Sequence, residues 1–290
     1  MVGEPTARHS FDLACRDMNL NLPNGYFEIL YQCTGWIAGQ SQARSKSNLK
    51  TTLGVSGSQG SGKSTFSSLL SNLLRDVFSI SAVVLSLDDF YLTRAEREAL
   101  VEVSPMLKTR GVPGTHDLAL AIAARNQFIN GDVMRVPAFS KSEDDRMGYN
   151  DLATKDTTLL IFEGWCWGAK PEALETLVAP INELERQADA DGVWRRFVNE
   201  QLDAYQQLFS TDLSLFLKVP DFSCVARWRW QQEQGLPAGP GRMTQAEVER
   251  FVMYYERITR QLLRDYAAEA TICLSLEQDH SIHLEKFPGT

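Results

Sequence analysis

Apolar residues recur along the chain in two patterns, and their alternation predicts the fold. TTLGV (51–55), SAVVLSL (81–87), TTLLIF (157–162), LSLFLKV (213–219) and ATICLSL (270–276) are short and almost wholly apolar, as buried strands are. Between them, 64–78 puts Phe66, Leu69, Leu70, Leu73, Leu74 and Val77 on one helical face. Residues 116–129 read as a helix with Thr115 or Asp117 near its N-cap. A third helix over 189–209 carries Trp194, Phe197, Leu202, Tyr205 and Phe209. Thr244-x-x-Glu247 is a capping box, and Phe251, Tyr254, Tyr255, Ile258 and Leu262 continue its helix on one side. Apolar strands separated by helices predict an α/β fold, a parallel sheet covered by helices on both faces.

Upstream, 22–42 has helical spacing through Phe27, Leu30, Tyr31, Gly35 and Ile37, and the polar stretch 41–50 reads as a linker. The predicted organisation is a helical N-terminal extension, 1–45, packed on one domain, 46–290. Within 290 residues, 43% hydrophobic and 23% charged positions support a sizeable core and exclude wholesale disorder. A net charge of −8 denies the chain the broad basic surface that nucleic acids or anionic membranes require. No stretch approaches the roughly 18 apolar residues of a membrane span, so a soluble, cytoplasmic protein is expected. Cys15, Cys33, Cys166, Cys224 and Cys273 lack any CxxC spacing and read as free thiols. His9, His116, His280 and His283 form no ligand cluster, so any metal must be held by oxygen ligands.

In parallel sheets, ligands bind beyond the carboxyl ends of the strands. After the first strand stands Gly57-Ser58-Gln59-Gly60-Ser61-Gly62-Lys63-Ser64, followed by Thr65, a complete G-x-x-x-x-G-K-[ST] phosphate loop in its strand-then-helix context. Its glycines let backbone N–H groups turn toward phosphate oxygens, and the following helix adds its positive end. Lys63 then reaches the β and γ phosphates, while the Ser64 hydroxyl ligates Mg²⁺. After the second strand, Asp88-Asp89-Phe90-Tyr91 places carboxylates at the rim, suited either to accept a hydroxyl proton or to cap the strand. Glu163, after the third, sits where an acid organises magnesium, with Gly164 next to it.

These motifs resemble the nucleoside, phosphoribulose and pantothenate kinase branch of P-loop kinases. More specific are residues 109–117 (TRGVPGTHD), 137–142 (PAFSKS) with Asp145-Arg146, 162–168 (FEGWCWG) and 227–233 (RWRWQQE). Together they resemble the P-loop type of D-glycerate 3-kinase and its close kinase relatives over roughly residues 50–280. Ser140 departs from the family's aromatic-Asp-Lys-Ser pattern. The resemblance implies ATP and Mg²⁺ as cofactors, Asp88 rather than Asp89 as base, and a lid over about 221–243 whose Arg227 and Arg229 close on the phosphates. It implies an acceptor insert over about 92–150 whose Arg110, His116, Lys141 and Arg146, together with Asp88 and Tyr91 before it, surround a small acidic hydroxyl substrate. Lys108, Arg110, Lys141 and Arg146 are a local basic cluster on an acidic chain, and arginine pairs bidentately with a carboxylate. His116 suits either a helix-start role or substrate contact. D-glycerate is the acceptor implied. Nucleosides, pantothenate-like alcohols and a nucleotide switch without an acceptor are the alternatives, and the lack of an Asn-Lys-x-Asp guanine motif points to ATP.

Overall fold

The structure, a computed structural model, describes residues 3–235 and 242–289, so 236–241 of the expected lid lie outside the described residues. Helices α1 (Glu4–Asp17) and α2 (Tyr26–Ser45) lead into strand β1 (Thr51–Gly57) and helix α3 (Lys63–Phe78). Then come β2 (Ala82–Ser86), a 3-10 turn over Leu87–Phe90, α4 (Arg94–Ala99), α5 (Leu118–Asn130), and a hairpin of β3 (Met134–Ser140) and β4 (Asp145–Leu152). β5 (Leu159–Gly164), α6 (Glu183–Ala188), α7 (Val193–Phe209), β6 (Leu213–Lys218) and α8 (Phe222–Gln234) follow. The last described elements are α9 (Gln245–Val252), α10 (Glu256–Gln261), a π-helical turn over Leu262–Tyr266, α11 (Ala267–Glu269), β7 (Ile272–Leu276) and β8 (Ile282–Lys286). No described helix is long and apolar enough to cross a membrane.

The central sheet runs β2-β5-β1-β6-β7-β8, and every pairing except β7 with β8 is parallel. Its strands send alternate side chains to opposite layers, as the two-residue strand period requires. Leu159 and Ile161 join Leu53, Val55 and Leu215 under α1, α2 and α3, whereas Leu160 and Phe162 join Leu85 and Phe216 beneath α5 and α7. Each fully buried Leu, Ile or Phe contributes roughly 1.5–3 kcal/mol, so both layers stabilise the sheet. Ser86 pairs with Glu163, and Glu163 with Val55. That register brings the phosphate loop and both acidic strand ends to one rim.

Three expectations need correction. Helix α2 continues to Ser45, so the polar stretch 41–50 is half helix; Ser41 is buried against the body. The sheet is not wholly parallel, because polar, edge-forming β8 returns antiparallel to β7. The helix opened by Thr244 keeps its capping box but breaks at 253–255, where Tyr255 turns inward and its Oη donates to the Arg110 carbonyl at 3.1 Å. The segment expected to form the acceptor insert contains a two-stranded antiparallel hairpin, β3–β4, with a bulge between Ala138 and Phe139. Helix α5 starts at Leu118, and of the two N-cap candidates it is Asp117 whose carboxylate accepts from Leu120 N–H.

Candidate active site

The phosphate loop curls as its glycines permit. Gly60 and Gly62 have φ of +80° and +82°, the left-handed region that side chains disfavour. A Cβ on Gly60 would lie 2.6 Å from that of Trp228, so the loop and α8 touch only because the side chain is missing. Gly62 caps α3 without a side-chain hydrogen bond, leaving first-turn N–H groups to a ligand. Ser58 Oγ, Gln59 Oε1 and Ser61 Oγ are buried there without a protein partner, as a site made for a polar guest requires.

Ser64 Oγ donates to Glu163 Oε1 at 2.6 Å, and Lys63 Nζ lies 3.9 Å from Glu163 Oε2. Glu163 is buried, and its Oε2 has no hydrogen-bond partner. A hydroxyl and a carboxylate, hard oxygen donors beside a phosphate cradle, fit Mg²⁺, which takes few protein ligands and completes its shell with phosphate and water. Among the described residues no group of three or more His, Cys, Asp or Glu is arranged to hold a metal alone.

The two aspartates at the end of β2 diverge. Asp89 turns back into a capping box, accepting from Ser86 N–H at 2.9 Å. Burial raises its pKa. Asp88 faces the rim, where Tyr91 Oη donates to its Oδ1 at 2.7 Å and Lys141 Nζ to its Oδ2 at 2.9 Å. Burial pushes the Asp88 carboxyl up, but Lys141, Lys63 and Tyr91 together outweigh it and hold the pKa at about 2. Lys141 reaches it from the β3–β4 turn.

Around Asp88 the insert supplies the other expected residues, each with an existing partner. Arg110 pairs with Asp144 at the hairpin tip, with its guanidinium 5.8 Å from the Tyr91 ring and 5.6 Å from that of Phe139. Asp144 also takes the buried Arg97, a contact no motif announced. Arg146 donates to the Tyr91 carbonyl at 3.0 Å and to Asp117 at 3.3 Å, tying the hairpin to the start of α5. Lys108 contributes its carbonyl to Arg97.

His116 is buried, with its ring stacked 4.9 Å from that of Tyr91. Gly114 N–H donates to Tyr205 Oη at 3.1 Å, and the same Oη is hydrogen-bonded to His116 Nδ1 at 2.7 Å. The other ring nitrogen, Nε2, is buried and unpartnered. Burial lowers its pKa from 6.5 to about 4, against the pull of Asp88. A depressed histidine contributes stability that is complete above its unfolded pKa and lost as pH falls through the folded one. Urea unfolding should thus lose on the order of 3 kcal/mol between pH 6.5 and 4 from this residue, and His116→Gln should flatten that slope. Equal slopes would show that another group titrates.

Arg227 and Arg229, the arginines expected in a lid, sit on α8. Arg227 donates to Gln278 Oε1 at 3.2 Å, and Arg229 pairs with buried Glu233 at 2.7 Å. Neither is placed on the phosphate loop by a hydrogen bond. Trp228 between them is buried and packs on Gly60, the core role its apolar surface favours. A second contact went unforeseen: His280 Nε2 lies 2.9 Å from the Gly60 carbonyl, joining residues 220 positions apart. A surface cavity of about 330 Å³ beside Lys170, Arg264 and Tyr266 contains none of these residues.

A complete phosphate loop on a parallel sheet, with acids at the two neighbouring strand ends, defines a P-loop kinase. Over 220 residues the chain is 36% identical to the uncharacterized kinase mug58 of Schizosaccharomyces pombe, covering 70% of this chain and 77% of that one. It belongs to this family, the glycerate- and pantothenate-kinase-like branch of the P-loop kinases. The probable ATP-dependent kinase TDA10 of Saccharomyces cerevisiae is 28% identical over 260 residues, 80% of this chain and 86% of that protein. Among solved structures, the D-glycerate 3-kinase of Cryptococcus neoformans superposes with a TM-score of 0.73 at 25% identity, over 89% of this chain and 99% of that one. No family model matches the chain.

Proposed function

We propose that the protein transfers the γ-phosphoryl group of ATP to a hydroxyl of D-glycerate, giving 3-phosphoglycerate and ADP. The observation that carries this reading is Asp88, an ionised carboxylate held between Tyr91 and Lys141 at the rim shared with the phosphate loop. Asp88 accepts the proton of the acceptor hydroxyl while that oxygen bonds to the γ phosphorus. The bond from the γ phosphorus to the bridging oxygen breaks, and ADP keeps its electron pair. Lys63 stabilises the β and γ phosphates. Ser64 and Glu163 would hold Mg²⁺, which when bound neutralises charge on those phosphates. Arg227 and Arg229 close with α8 over the transferring group, stabilising its charge and excluding water.

An acidic acceptor suits the insert. Its carboxylate competes with Asp88 for Lys141 and with Asp144 for Arg110, so both cations are presented in place rather than recruited. The Lys141–Asp88 pair is exchangeable: the Lys141 side chain is 65% exposed, and exposed ion pairs are worth little. The similarity to the Cryptococcus enzyme supports glycerate in particular.

ADP release measured against a panel of glycerate, nucleosides, pantothenate and related alcohols tests the reading. D-glycerate should stimulate strongly; stimulation by another alcohol alone would replace it, and hydrolysis that no acceptor accelerates would favour a nucleotide switch. Lys141→Met should raise the KM for the acidic acceptor about 10–100-fold, the worth of a charge-assisted hydrogen bond, and that for ATP far less. Equal effects would remove Lys141 from the acceptor site.

A further inference from the structure

The glycines that let the phosphate loop curl also leave its peptides free to turn. Gly60, without a Cβ, offers little resistance to rotation of the peptide that joins it to Ser61. In the structure that peptide is held at both ends. Ser61 N–H donates to the Ser58 carbonyl at 3.2 Å inside the loop, and the Gly60 carbonyl faces His280 Nε2 at 2.9 Å. A carbonyl only accepts, so Nε2 carries the hydrogen. Because the peptide unit is planar, fixing both its ends fixes its plane, and with it the direction of the N–H groups that follow.

His280 is itself held. It lies in the turn between β7 and β8, where Glu277 N–H donates to the Ser281 carbonyl at 2.9 Å and His280 N–H to the Glu277 carbonyl at 3.0 Å. Its φ of +66° is unusual for a residue with a side chain, and such outliers persist only where surrounding contacts fix them. Its ring lies 4.1 Å from that of Trp228, whose indole N–H donates to the Gln278 carbonyl at 3.2 Å. Arg227 reaches the side chain of the same Gln278. One turn therefore grips both the phosphate loop and the lid helix.

We infer that His280 is a positioning residue for nucleotide binding, locking the Gly60–Ser61 peptide of the phosphate loop from the β7–β8 turn. This rests on the nucleotide reading of the loop and is independent of the acceptor's identity. Removing the bond lets the peptide turn, so the cradle must be re-formed each time phosphates bind.

Equilibrium titration with a non-hydrolysable ATP analogue and, separately, with inorganic tripolyphosphate tests this without turnover. His280→Ala should weaken both ligands by about tenfold, roughly one hydrogen bond, while the KM for the acceptor changes less than about twofold. His280→Gln, which keeps an N–H at similar reach, should recover most of the affinity. His280→Asn, tolerant of positive φ but too short to reach Gly60, should not. Thermal unfolding of each variant separates lost folding from lost affinity. If the analogue is weakened but tripolyphosphate is not, His280 acts on the base and the inference fails. It fails equally if Asn restores affinity as well as Gln, because the turn's shape would then be the cause. A wild-type chain that binds neither ligand would instead overturn the nucleotide reading.

Discussion

Lys63→Ala should cut turnover ~10²–10³-fold while the protein still unfolds cooperatively. Lys63 is the first residue of α3, 3.9 Å from Glu163 Oε2, and has no shorter ion pair to lose. Ala is the best helix former, so the substitution does not disturb the helix start. The lost interaction is with phosphate. Charge moves onto the bridging oxygen and the β phosphate as the γ-phosphoryl leaves, so the ammonium group stabilises the transition state more than bound ATP. Removing one such stabilising group from a dry site costs ~10²–10³-fold in kcat. Nucleotide affinity should fall by less, because the backbone N–H groups and Ser64 remain. Steady-state ADP release, set beside analogue titration, separates the two effects. A folded variant turning over near the wild-type rate would refute the assignment of the loop.

That loop was legible because its geometry is local: glycines at fixed offsets, between an apolar run and a helical pattern, dictate the curl whatever packs around them. The apolar strands were legible because burial leaves little polar alternation to confuse them: β1 and β5 are buried throughout, and even the half-buried edge strand β2 is apolar except at its last residue. Strand β4 was not, since Asn150 and Asp151 are exposed and Asp145 and Arg146 carry charge where a core strand carries Val or Ile. β8 escaped for the same reason, with Glu285 and Lys286 at its end. Within the site, residue type was readable and orientation was not. Asp88 and Asp89 are neighbours of identical chemistry, and only the capping hydrogen bond to Ser86 turns one inward and leaves the other to the rim. Partners distant in sequence were invisible. Arg110 carries no sign that Asp144 will neutralise it, nor Gly60 that His280 will hold its carbonyl.

Asp88→Asn should lower kcat by ~10²–10⁴-fold, the usual contribution of a general base, with nucleotide binding retained. Asn keeps the shape and still accepts from Tyr91 Oη, and only the exposed Lys141 loses its acceptor. It cannot take the acceptor's proton. The loose transition state of phosphoryl transfer leaves most catalysis to positioning and charge, which is why a residual rate remains. With its pKa held at about 2, the wild-type carboxylate is ionised across the working range, so its own titration gives no acidic limb above about pH 4. Lys141→Met removes the largest opposition to burial, and the Asp88 pKa should then climb, moving an acidic limb of kcat/KM to higher pH. The same variant carrying Asp88→Asn should lose that limb, which assigns it to Asp88 and not to a phosphate. Asp89→Asn should cost much less, because Asn still accepts from Ser86 N–H in the capping turn. Should Asp89→Asn prove the more damaging, the two roles are exchanged. If neither change slows the reaction, both acids are strand caps, and the proton must leave by a route that needs no side-chain base at this rim.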